Sequence, residues 1–255
     1  MSVNTLILRA PGTNCDVETT FAFQQAGAVV TSVHINQLIH REQLLADYQI
    51  IVIPGGFTYG DDITAGKVLA NKLQLKLGGD VEKFMKNGGL ILGICNGFQV
   101  LVKAGILPQL PDGGSPPLTL TTNDSGKFEC RWVHLDVNKE SPCIFTKGID
   151  SMHLPIAHAE GKVVTDPEAL PTLNAVLYYT DEQGNTSADY PHNPNGSVGN
   201  IAGICDASGR IFGLMPHPER YIRGTQHPQW TRLGAKEHGD GFQIFQNAVK
   251  WAEDL

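Results

Sequence analysis

The stretch Gly88 to Val100, GGLILGICNGFQV, drives an aliphatic run into a cysteine, sets a glycine two residues away on either side, and then resumes an apolar helical pattern. A strand that only filled a core would need neither glycine. LILGI reads as a strand and NGFQVLVKAG as a helix, so Gly93-Ile94-Cys95-Asn96-Gly97 marks a sharp strand-to-helix turn of the form Gly-x-Cys-x-Gly. Such a turn crowds the central side chain against backbone two residues either way, and glycines remove the clash. Cys95 is thereby pushed out above the sheet. The helix N-terminus favours a thiolate there, through unpaired N–H groups and the helix dipole, and the Asn96 N–H points toward a developing oxyanion. The bland alternative is packing alone, because a free cysteine is often a small core hydrophobe.

Working outward, the first half of the chain alternates short β-branched or aliphatic runs (TLILRA, AVVTSVHI, QIIVIPGG, LILGI) with longer amphipathic stretches. That alternation predicts βαβ units around a mostly parallel sheet, an α/β fold. DVETTFAFQQAG reads as a helix that opens on an N-capping Asp16, spaces Val17 and Phe21 one turn apart on its sheet-facing side, and stops at Gly27. Between Gly105 and Gly148 the texture changes: LPDGGSPPLTL is a loop, and FECRWVHLDV and its neighbours read as strands of an inserted or edge β region. IAGICDASGRIFGLMPH reads as a strand pair turning at DASGR. Near the C-terminus, Phe242, Phe245, Val249 and Ala252 form one helical stripe. With no internal repeat, residues 1–255 are expected to form one elaborated domain.

A thiol at neutral pH needs a base, and nine histidines compete for the role. His217 stands out, in GLMPHPERY after the strand IFGLM. Pro216 and Pro218 favour extended backbone in the residues before them, and alternation then puts Glu219 on the same side as His217, within reach of one imidazole nitrogen. The other nitrogen would serve Cys95. An exposed His-Pro-Glu turn would look the same in isolation; the elbow is what favours the catalytic reading. A second strand, QIIVI, ends in Pro-Gly-Gly-Phe, where Gly56 and Phe57 are candidates for further oxyanion donors. Cys15, in PGTNCD, also follows a strand and precedes a helix, but it lacks the glycine on its helical side and ranks below Cys95. Cys130, Cys143 and Cys205 read as packing. His158 is a weaker candidate for a site edge, and His227 sits in a polar segment.

Composition excludes other classes. The 255 residues carry a formal charge of −7 with no Lys/Arg cluster, which argues against a nucleic-acid partner. The N-terminal segment has only a four-residue apolar run with no basic leader, so neither signal peptide nor membrane span is expected, and the cytoplasm is. Five scattered cysteines without a Cys-x-x-Cys pair disfavour disulfides and a zinc site; no metal is expected. GDDITAGKV fails the phosphate-loop pattern in spacing and in its final hydroxyl.

With PGGF, GICNGFQ and HPE following one another along the chain, the sequence resembles the class I glutamine amidotransferases. The resemblance implies a flavodoxin-like, mostly parallel sheet flanked by helices with an additional small β region. It also implies glutamine hydrolysis: Cys95 as nucleophile, His217 as proton shuttle, Glu219 as its orienter, Gly56, Phe57 and Asn96 at the oxyanion, and Gln99 as a glutamine contact. Ammonia would pass to a separate, large synthetase subunit that holds ATP and Mg2+, with a small third subunit beside it, while this chain itself carries no cofactor. Three rivals stay open: a subunit serving another synthetase, a cysteine hydrolase of the related α/β group, and a catalytically silent module.

Overall fold

The computed structural model describes residues 2–108, 117–186, 189–234 and 236–255; most of the Pro/Gly-rich loop expected at 110–120 lies outside them. The chain builds strands β1 (Asn4–Arg9), β2 (Val29–His34), β3 (Ile50–Ile53), β4 (Leu90–Ile94), β5 (Leu118–Thr121), β6 (Glu129–Val137), β7 (Ser151–His158), β8 (Lys162–Thr165), β9 (Asn174–Thr180), β10 (Ile201–Cys205) and β11 (Ile211–Leu214). Its helices are α1 (Asp16–Gln25), α2 (Ile35–Ile39), α3 (Lys67–Lys86), α4 (Asn96–Lys103), α5 (Trp230–Leu233) and α6 (Phe242–Ala252), with several 3-10 turns between.

Nine strands form one sheet in the order β2-β1-β3-β4-β11-β10-β9-β6-β7, and β5 pairs with β8 apart from it. The segment from β2 to β11 is parallel throughout, and the remainder is antiparallel. Sequence pattern explains the division. IIVI and LILGI are buried at every position, as strands covered on both faces must be. In β7 every second residue is buried, as on a strand with one covered face. Each fully buried Ile or Leu contributes roughly 1.5–3 kcal/mol over an exposed one, which fixes this register firmly.

From β1 the chain crosses to β2 on one side, and from β3 to β4 on the other. Right-handed crossovers then put the connecting helices on opposite faces. In keeping with this, α1 packs on α6, where Phe23 and Phe245 meet edge-on at 5.0 Å, while α3 packs on α4. The strand order therefore reverses between β1 and β3, and a crevice opens at their carboxyl ends.

Three local expectations differ from the structure. In α1 the buried face is Thr19, Ala22 and Phe23, whereas Val17 is 74% exposed. Asp16 is the first helical residue rather than the cap, and it pairs with Arg9 at 2.7 Å. Two stripes with one phenylalanine each compete in this short helix, and docking against β1 and β2 buried the one carrying Phe23. Cys130 is exposed, on the outward face of β6, whereas Cys143 and Cys205 are buried as expected.

Candidate active site

Cys15, Gly55, Cys95 and His217 follow β1, β3, β4 and β11 respectively. Because these four strands are neighbours and parallel, their carboxyl ends share one edge of the sheet. The site is a property of that edge.

The elbow has the geometry its sequence demands. Cys95 takes φ 50°, ψ −103°, a conformation that costs an L-residue of order 1–3 kcal/mol. It is held by its own N–H to the Leu214 carbonyl at 2.8 Å and by its carbonyl, which accepts from Gln99 at 3.2 Å. Both glycines are required by close approach. A Cβ on Gly97 would stand 1.8 Å from the Ile53 carbonyl oxygen, and one on Gly93 would stand 2.8 Å from the backbone of Gly97. The thiol is 5% exposed and faces the Ala157 carbonyl at 3.7 Å.

His217 and Glu219 meet as expected, with Nδ1 2.6 Å from Oε1 and both side chains buried. The means differ from the sequence reading: Glu219 lies in a 3-10 turn, Pro218–Arg220, so the turn rather than strand alternation brings it back to the ring. The His217 N–H donates to Pro155 O at 2.8 Å and ties the turn to β7. Burial alone would pull the imidazole toward neutrality, but Glu219 and then Cys95 oppose it and hold His217 well above its ordinary range. Among the described residues, Nε2, the nitrogen left for the thiol, has no hydrogen-bond partner, and neither has Glu219 Oε2. Cys95 is near enough for its charge to bear on the imidazole.

The proposed oxyanion donors divide. As the first residue of α4, Asn96 has an N–H without an intrahelical acceptor. Gly56 lies on the same edge, bridged to Thr13. The N–H of Phe57, in contrast, donates to the Gly12 carbonyl at 2.9 Å, and its ring is half exposed at the rim. Antiparallel pairing of the two loops consumes that donor, a contact invisible in PGGF alone.

The side chains of Asn96 and Gln99 carry a network that the sequence did not suggest. Asn96 Oδ1 accepts from the Thr58 N–H at 3.2 Å and from its hydroxyl at 2.7 Å, while Nδ2 donates to Asp61 at 3.1 Å and to Gln99 Oε1 at 3.0 Å. Gln99 Nε2 reaches the Glu160 carbonyl. These bonds fasten the loop after β3 to α4 and to the end of β7. The adjoining backbone is strained, with Tyr59, Asp61 and Ile63 all at positive φ.

His158 has a structural part. Its Nδ1 donates to Asn123 Oδ1 at 3.1 Å, an assignment fixed because Asn123 Nδ2 donates to the carbonyls of Lys127 and His158. Burial, followed by the charge of His217, lowers its pKa to about 3. A histidine kept neutral in the fold but free to protonate when unfolded stabilises above the unfolded pKa, near 6.5, and that stability is lost as pH falls toward 3. Between pH 7 and 5 the loss is about 2 kcal/mol. Urea titrations at both values should show it, and His158→Gln should flatten the dependence; an unchanged slope would remove His158 from this account.

Two residues gained importance only in three dimensions. Cys15, ranked low from sequence, is buried against the His217–Glu219 pair, one ligand atom from each of the three lying within 4.8 Å of the others. Arg220 donates to its sulfur at 3.2 Å. The signal present in the sequence was the second strand-to-helix cysteine; its neighbour β3 could not be read there. His227, assigned to a polar segment, is buried and bonds His153 at 3.0 Å.

Known proteins bear on this arrangement. The chain is 58% identical over 254 residues to the phosphoribosylformylglycinamidine synthase subunit PurQ of Dehalococcoides mccartyi, covering 99% of each. It is 46% identical to the subunit of that name from Methanococcus maripaludis, covering 96% of each. Among solved structures, PurLQS from Thermotoga maritima contains a chain that superposes with a TM-score of 0.73 at 33% identity, covering 98% of this chain and 99% of that one. The profile of the CobB/CobQ-like glutamine amidotransferase domain matches residues 2–252. By its sequence, its fold and the extent of that match, the chain belongs to the CobB/CobQ-like glutamine amidotransferase family.

Proposed function

We propose that this chain is the glutaminase component of a phosphoribosylformylglycinamidine synthase, releasing ammonia from glutamine for a synthetase subunit that aminates formylglycinamide ribonucleotide. The observation that carries the reading is the strained Cys95 elbow facing a buried His217–Glu219 pair across adjacent parallel strands. Near-complete coverage of relatives bearing that name supports the substrate.

Each residue has a defined task. The Cys95 thiolate attacks the side-chain carbonyl carbon of glutamine, and the N–H groups of Asn96 and Gly56 receive the oxyanion. Phe57, its N–H engaged by Gly12, lines the mouth. As the tetrahedral adduct collapses, the imidazolium of His217 gives its proton to the departing nitrogen, leaving a γ-glutamyl thioester. Water then attacks the thioester while His217 takes its proton, and glutamate leaves with the thiolate restored. Glu219 holds the ring and stabilises its charge. Gln99, placed between Asn96 and Glu160, shapes the glutamine pocket by fixing its wall.

Ammonia is mostly protonated in neutral water, so delivery to the synthetase needs a shielded path across a subunit contact. A large synthetase subunit and a small third subunit are the expected partners, the name PurLQS being that of the solved complex this chain resembles. ATP and Mg2+ belong to the synthetase in this reading, and the cytoplasm is the expected location; none of the helices is long and apolar enough to cross a membrane among the described residues.

Amide-labelled glutamine tests the assignment. With the synthetase, ATP and formylglycinamide ribonucleotide present, the label should enter the amidine product, and glutamine turnover should rise well above that of the isolated chain. Turnover that ignores this synthetase but couples to a different one would overturn the substrate assignment.

A further inference from the structure

We propose that Cys15 is a positioning residue of this site: a sulfur anchored by Arg220 that keeps the His217–Glu219 pair aligned with Cys95. The inference rests on the glutaminase reading above. Cys15 stands at the start of α1, on the far side of β3 from the nucleophile, and is 1% exposed.

The thiol is engaged on several sides. It donates to Asn14 Oδ1 at 3.3 Å, accepts from Arg220 Nη2 at 3.2 Å, and lies in the same cluster of ligand atoms as the imidazole and the carboxylate. A gap-filling cysteine would not draw a guanidinium, which prefers anionic or strongly polarised acceptors. Arg220 Nε is also 4.0 Å from Glu219 Oε1, so one cation faces both the sulfur and the carboxylate.

Gly55 keeps the contact open. A Cβ at that position would lie 2.8 Å from His217 Cε1 and 3.0 Å from Cys15 Sγ, so no side chain larger than hydrogen fits between the loop and the pair. The ring is thus gripped by Glu219 at Nδ1 and has the Cys15 sulfur close by, with Gly55 lying against both Cε1 and Sγ. Removing the sulfur frees the ring to tilt and frees Arg220 to compete for Glu219. Catalytic geometry tolerates little such movement, since a misplacement near 1 Å can cost a hundredfold in rate.

The test compares wild type with Cys15→Ala, Cys15→Ser and Arg220→Gln in the assembled synthetase complex. Three quantities are read: kcat and KM for glutamine, Tm, and the pH dependence of Cys95 alkylation by iodoacetamide, followed on the Cys95 peptide by mass spectrometry. Cys15→Ala should lower kcat about tenfold with KM within about twofold, and alkylation should begin at higher pH because the imidazolium that supports the thiolate is less well held. Cys15→Ser should recover part of both, and Arg220→Gln should shift them in the same direction as Cys15→Ala. A lower Tm with an unshifted alkylation profile would assign Cys15 to packing and overturn the proposal, as would wild-type kcat in the alanine variant. Should Cys15→Ala fail to fold, Arg220→Gln decides by the same criteria, its side chain being 35% exposed. Failure of the wild-type complex to turn over glutamine would strike the glutaminase reading, whereas the alkylation profile still tests the grip on His217.

Discussion

Cys95→Ala should eliminate glutamine hydrolysis, lowering kcat by at least roughly 10³-fold, while leaving the fold intact. No other thiol can replace the lost one. Cys15 follows β1 and, although its sulfur lies beside His217 and Glu219, it is engaged by Asn14 and Arg220; Cys130 is exposed on the outer face of β6, and Cys143 and Cys205 are buried elsewhere in the core. Alanine keeps the Cβ and hence the strain at φ 50°, so its stability should stay within about 1 kcal/mol of wild type. Cys95→Gly relieves that strain and should be more stable than the alanine variant by about 1 kcal/mol, although equally inactive. Steady-state glutamate release and urea unfolding of both variants check these statements. Residual turnover in Cys95→Ala within tenfold of wild type would remove Cys95 as the nucleophile.

Gly97→Ala should be among the most damaging single methyl additions in the described residues. The new carbon would sit 1.8 Å from the Ile53 oxygen and 2.7 Å from its carbonyl carbon, and backbone on both sides leaves no side chain to rotate away. Either α4 lifts from β3 or the elbow opens. Overpacking of this kind costs 1–3 kcal/mol even where side chains can give way, so a loss of about 3 kcal/mol or more is expected here. Because α4 carries Asn96 and Gln99, its displacement also unfastens the network to Thr58, Asp61 and Glu160, and kcat should fall at least about a hundredfold. Differential scanning calorimetry with a glutaminase assay measures both. A variant that melts with wild type and retains its kcat would show that the turn has more room than its close contacts allow.

These two expectations rest on features with different origins. The elbow was legible because its constraint is local: a sharp βα turn places residues i−2 and i+2 against backbone, and glycine is the only residue type that fits. The same holds for the parallel strands, whose unbroken aliphatic runs announce burial on both faces, and for the stripe of α6, buried along Phe242, Phe245, Val249 and Ala252. His217 and Glu219 were paired by a separation of two residues, and a tight turn of either kind would have joined them.

What escaped the sequence depends on neighbours supplied by distant segments. Val17 and Thr19 are equally plausible as an inward face until β1 and β2 choose one. The Phe57 N–H is a free donor in PGGF until Gly12 arrives beside it. Cys15 is an ordinary thiol in PGTNCD until the order β1-β3-β4-β11 carries it to the imidazole. By itself the sequence determined the elbow, the α/β alternation and the candidate nucleophile, since backbone sterics and hydrophobic period act within a few residues. The tertiary structure alone decided which donors remain free and which second sulfur faces His217, because strand order is set by packing the whole core and no short stretch of chain contains it.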